Sequence, residues 1–172
     1  MDREPELRAA LEEATLQRER AEAQSLVLER ITTGAPLKEV LELLVNTIEA
    51  RSRGMLGSVL LLDAAGRHLI HGAAPSLPRA YTDALDGGEI GPNEGSCGTA
   101  AYDCRQVVVQ DIATDPLWMN YRDLAAEHGL AACWSTPICS STGKVLGTFA
   151  PASLLQDADR AMYRAKAEPH AP

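Results

Sequence analysis

Two pairs of strand-length segments, each pair joined by a short polar turn, constrain this chain more than any other feature. Residues 58–62 are an apolar run, Asp63-Ala64-Ala65-Gly66 has turn chemistry, and residues 67–72 then alternate polar and apolar. Residues 134–139 and 145–150 repeat the arrangement around Ser140-Ser141-Thr142-Gly143-Lys144. Each pair reads as a β-hairpin. Val107-Val108-Val109 adds another strand. Hairpins make neighbouring strands antiparallel, and such a sheet buries its apolar faces under helices. Aromatic residues are only 4% of the chain, with Phe149 the one Phe. The core must therefore come from Leu, Val, Ile and Ala.

Helical segments surround these strands. The first thirty residues are rich in Glu, Arg, Ala, Leu and Gln, strong helix formers. Their apolar positions (Leu7, Leu11, Ala14, Ala21, Leu26, Leu28, Ile31) make too thin a seam to pack on a monomeric core. That helix is expected to lie solvated, to pair in a dimeric coiled coil, or to act as a signalling linker from an upstream module. Thr33 as cap and Pro36 in the first turn open a second helix to about residue 50. Its Leu37, Val40, Leu41, Leu44, Val45 and Ile48 follow a helical period. Short helices are expected at 78–85, 116–121 (capped by Thr114 or Asp115) and 123–128, with a helical turn at 99–103. Residues 86–95 read as turns, and 154–167 as a closing helix.

The fold class is therefore α+β: an antiparallel sheet with helices on its faces and a long N-terminal helix. The expected division is a helix at 1–33, a domain at 34–150 and a C-terminal helix at 151–172. Sixteen basic against twenty-four acidic residues give a net charge of −8, without the cationic footprint of a nucleic-acid binder. There is no polybasic cluster and no apolar run near the roughly 20 residues that span a bilayer. The charged N-terminus does not read as a signal peptide, so a cytoplasmic location is expected. Cys97, Cys104, Cys133 and Cys139 are expected as free thiols, without the spacing of a zinc site.

Three stretches carry a resemblance. They are Gly95-Ser96-Cys97-Gly98-Thr99-Ala100-Ala101, the run from Val107 through Asp111 and Asp115-Pro116 to Trp118, and Trp134-Ser135-Thr136-Pro137-Ile138 followed by Gly143-Lys144-Val145-Leu146-Gly147-Thr148-Phe149. In order and spacing, residues 36–150 resemble the GAF domain family of bacterial sensors. The resemblance implies a ligand pocket under the loops between the middle strands. The tail from Leu154 to Lys166 is similar to the last helix of a GGDEF diguanylate cyclase domain, whose catalytic body is missing here. This implies a parent protein in cyclic-di-GMP signalling and no synthesis of cyclic-di-GMP by this chain.

The candidate ligand-binding residues are His71, Cys97, Trp118, Tyr121, Cys133 and Trp134. Trp118, Met119, Tyr121 and Trp134 could line a small-molecule pocket or close an aromatic-poor core. His68 and His71, three apart on a strand, face opposite ways, so one could reach the pocket. Asp111, Asp115, Arg122 and Asp123 read as ligand contacts or as caps and turn acceptors. Gly95 and Gly98 leave the backbone open around Cys97. In GAF-like reductases of free methionine sulfoxide, a similar Cys-Gly belongs to a redox set. Here Cys104 or Cys133 would have to resolve it, but Cys104 comes at another spacing and Cys133 precedes Trp134. No bilin-type Cys-His pair and no cyclic-nucleotide signature is present, and no cofactor is named. The expected function is a non-catalytic sensory domain that binds a small molecule and dimerises through its N-terminal helix. The alternatives are a thiol-dependent reductase of free methionine sulfoxide and a scaffold without ligand.

Overall fold

The two hairpins form the centre of one six-stranded antiparallel sheet in the computed structural model, which describes residues 4–52 and 54–154. The chain runs α1 (Glu4–Thr32), α2 (Leu37–Arg51), β1 (Met55–Leu62), β2 (His68–Ala73), α3 (Arg79–Leu85) and β3 (Gly88–Glu89). It continues with α4 (Gly95–Asp103), β4 (Val107–Val109), a 3-10 turn (Pro116–Trp118), α5 (Arg122–Glu127), β5 (Leu130–Cys139) and β6 (Val145–Leu154). The strand order is β3-β2-β1-β6-β5-β4. The hairpins meet where β1 pairs with β6, Val59 opposite Phe149.

Strand alternation sorts the core into two layers. On one face Val59 and Ala73 pack with Val45 of α2, joined by Leu41, Leu61, Ile138 and Phe149. Burying Val45 fully contributes about 1.5–3 kcal/mol and holds α2 to the sheet. The other face carries the larger core, in which Ala100, Val109, Ile112, Trp118 and Leu130 are buried.

Several expected boundaries move. Both strands of the second hairpin are longer than read, β5 starting at Leu130 and β6 running past Ala150 to Leu154. The expected turn at 99–103 is the end of a helix that begins at Gly95, and β3 arises inside the stretch read as turns. Thr33 does not cap α2: its hydroxyl donates back to the Glu29 carbonyl at 2.8 Å, ending α1 instead. The closing helix expected at 154–167 lies outside the described residues beyond Leu154. No residue of α1 is buried, and the Arg51 guanidinium ties it to α2 through the Glu19 carbonyl.

Candidate ligand-binding site

On the face opposite α2, small side chains on the central strands leave space that the covering helices do not fill. The result is a cavity of about 210 Å³. Ser58 and Leu60 of β1, Leu69 and His71 of β2, Cys133 of β5, and Ala150 and Ala152 of β6 form its floor. Tyr81 and Leu85 of α3, the turn at 86–89, the first turn of α4, and Trp118 with Tyr121 form its walls.

The first turn of α4 is shaped by its glycines. A Cβ on Gly98 would lie 2.6 Å from Glu94 Cβ and 2.9 Å from the Glu89 carbonyl oxygen, so only glycine lets the helix approach β3. Gly95 has φ +60°, a conformation that side chains other than glycine disfavour, and the Tyr121 ring sits 3.7 Å from where its Cβ would be.

The aromatic wall is fastened to the same turn. The Trp118 indole, 5% exposed, donates to Ser96 Oγ at 2.8 Å. The Tyr121 hydroxyl donates to Glu94 Oε2 at 2.7 Å. Their rings meet edge-on, 6.4 Å apart at 79°. Burial, and then the bond to Glu94, push the Tyr121 phenol up to about 12, so it stays a donor at neutral pH.

Carboxylates rim the cavity. Asp86 is fixed by the backbone N–H of His71, 2.6 Å from its Oδ1, and Glu94 stands across from it in the lining, whereas Glu89 pairs opposite His68 and turns its carboxylate to that ring, 3.8 Å from Nε2. No Lys or Arg is among the lining residues. The N-terminus of α4 contributes a partial positive charge of about one half, which the two carboxylates of Asp86 and Glu94 outweigh. The potential at the mouth is therefore negative.

The two cavity thiols are weak nucleophiles. Burial pushes Cys133 up to about 12. Burial also raises Cys97, opposed by the hydrogen bond with Ser135, whose Oγ is 3.1 Å from its Sγ. Both stay protonated at neutral pH, and it is the thiolate that attacks.

Of the six residues expected at the site, the fold brings His71, Cys97, Trp118, Tyr121 and Cys133 together around one cavity. Trp134 is not among the lining residues. Cys133 belongs to the α4-side core and Ile138 to the α2-side cluster, so the two-residue period of β5 puts Trp134 on the α2 side. Met119 is 68% exposed. His68 points away from His71 and holds Asp63 Oδ2 at 3.0 Å. Asp111 and Asp115 serve their own turn, accepting from Ala113 N and Leu117 N at 3.1 and 2.9 Å. Arg122 closes that turn on the carbonyls of Thr114 and Asp115. Tyr81, Asp86, Glu89 and Glu94 were not anticipated. The concentration of carboxylates in the glycine-rich run 86–94 was the one signal available for them.

This arrangement, a curled antiparallel sheet with a cavity under the loops between its middle strands, can be set against known proteins. Residues 34–162 match the family described as GAF domain. The chain belongs to the GAF domain family. A curated relative, the methyl sulfide methyltransferase-associated sensor of Methanosarcina acetivorans, is 46% identical over 127 residues. That alignment takes in 74% of this chain but 13% of the relative, so this GAF domain corresponds to a small part of the longer protein. Among solved structures, the A. aeolicus nlh2 GAF domain in an inactive state superposes with a TM-score of 0.61 at 13% identity, covering 88% of this chain and 89% of that one. Free methionine-R-sulfoxide reductase from Neisseria meningitidis, in complex with its substrate, gives 0.58 at 18% identity, covering 85% and 79%. At these identities the structural likeness establishes the GAF fold alone. Among the described residues no helix is long and apolar enough to cross a membrane.

Proposed function

We propose that this GAF domain is a non-catalytic sensory module that binds one compact small molecule with an apolar body and a cationic or hydrogen-bond-donating end. The observation that carries the reading is the preformed cavity, with aromatic walls and the carboxylates of Asp86 and Glu94 in its lining. A dry cavity of about 150 Å³ accepts benzene. The space here, about 210 Å³, suits a ring plus a short polar arm. Trp118 and Tyr121 offer ring faces and edges, and the rim carboxylates attract an ammonium group. The name of the Methanosarcina relative and the GAF family itself support a sensory role. The tail's likeness to the end of a GGDEF domain supports a place in cyclic-di-GMP signalling. The reductase reading needs a cavity thiolate, and burial disfavours one at Cys97 and Cys133.

Thermal unfolding of the full chain with benzylamine tests the ligand class. Ligand at ten times its Kd stabilises by about 1.4 kcal/mol, a rise of a few degrees in Tm. Benzoate, similar in size and opposite in charge, is expected to give no rise. Ala150→Leu, which fills the floor, is expected to abolish the benzylamine effect. An equal response to benzoate, or one that survives Ala150→Leu, would contradict the reading.

A further inference from the structure

Two thiols outside the cavity stand face to face. Cys104 Sγ and Cys139 Sγ are 3.7 Å apart, and both residues are exposed. Cys104 is the residue that ends α4, and Cys139 is the last residue of β5. They are 35 positions apart in sequence, so the fold, and not chain proximity, brings them together.

The backbone at Cys104 is a second, independent observation. Its φ is +51°, and it is the one non-glycine residue with positive φ among the described residues. Glycine or asparagine is the ordinary choice for that helix-ending conformation. A cysteine there gains nothing locally, whereas it puts a thiol in contact with Cys139.

We propose that Cys104 and Cys139 are a reversible oxidation site, converted to an intramolecular disulfide by a peroxide. The step balances. One sulfur, as thiolate, attacks a peroxide oxygen. The O–O bond breaks, water leaves after protonation, and the sulfur becomes a sulfenic acid. The second sulfur attacks the first, the S–O bond breaks, and a second water leaves. Two electrons pass from the sulfur pair to the peroxide, and the two thiol protons end in water. A thiol reductant restores the pair by exchange. The sulfurs must close from 3.7 Å to about 2.05 Å, a movement exposed side chains can make by rotation. The bond would fasten the end of α4, whose first turn walls the cavity, to β5, which supplies Cys133 to its floor. The proposal does not depend on what the cavity binds.

The test treats the full reduced chain with hydrogen peroxide and maps its cysteines by non-reducing peptide mass spectrometry. The expected product is a monomer-internal link between the Cys104 and Cys139 peptides, with Cys97 and Cys133 still alkylable after unfolding. Dithiothreitol is expected to reverse it. Cys104→Gly is expected to fold, to melt at a higher temperature than the reduced parent, and to give no link. Its Cys139 is then expected to be trapped by a sulfenic-acid reagent. Links to Cys97 or Cys133, links only between chains, or independent over-oxidation of Cys104 and Cys139 in the parent would overturn the proposal.

Discussion

A single carboxylate closes the first hairpin. Asp63 Oδ1 accepts the Arg67 backbone N–H at 2.8 Å, and Oδ2 meets His68 Nδ1 at 3.0 Å. The Arg67 N–H first, and then the His68 ring, hold the Asp63 carboxyl down at about 2, against an ordinary value of 3.8. A depressed acid binds fewer protons in the folded chain than in the unfolded one. Its contribution to stability is therefore complete above pH 3.8 and is lost as pH falls towards 2. Carbon-detected NMR of the Asp63 carboxyl is expected to titrate with a midpoint near 2, and Asp63→Asn is expected to flatten the acid limb of stability in that window. A midpoint at 3.8 would show that the turn does not hold the carboxylate. The cavity obeys the same logic with the opposite sign: burial raises Cys133 and Tyr121. Cys133 and Tyr121 therefore face the cavity as neutral donors.

At the scale of elements, α1 makes the strongest demand. It is a helix of 29 residues with none buried, and Leu7, Leu11, Leu28 and Ile31 are between 51% and 73% exposed. An isolated leucine on a surface needs no explanation, but for several along a helix tied to the domain through α2, the cover we propose is a second copy of the helix. Sedimentation equilibrium of the full chain is expected to give twice the chain mass, and Leu11→Glu with Leu28→Glu to return the monomer. A parent chain that sediments as a monomer would contradict the pairing.

Elements also show what was legible before any coordinates. The hairpins, α2 and β4 were readable because their apolar period or turn chemistry is local. The start of α4 was hidden because Gly95 and Gly98 have low helix propensity, and only the φ of +60° at Gly95 and the packing of Gly98 against Glu89 and Glu94 explain them. The start of β5 was hidden because Leu130-Ala131-Ala132 carries no alternation. Trp134 reads as a pocket residue from its aromatic character alone, whereas neighbours on a strand face opposite ways, so β5 turns Trp134 from the cavity that Cys133 lines. Asp86 and Glu94 could not be placed on one cavity because they flank β3, which has two residues and no pattern of its own.

At the scale of the molecule, one sheet separates a filled layer from a larger one that keeps a cavity. The α2 side is closed by Val45, Val59 and Phe149. The other side keeps space beneath α3, α4 and the 3-10 turn, each of which contributes wall residues. A ligand that settles there contacts all three at once, which gives it a means of shifting their positions together. The chain's two tryptophans, Trp118 and Trp134, lie on opposite sides of this sheet and so report on the two layers separately. The most direct measurement is an NMR titration of the two ¹⁵N indole resonances with benzylamine, assigned by Trp134→Phe. A saturable shift of the Trp118 resonance, whose N–H is held by Ser96, is expected, with no movement of the Trp134 resonance. A stationary Trp118 resonance, or equal movement of both, would contradict a ligand in this cavity.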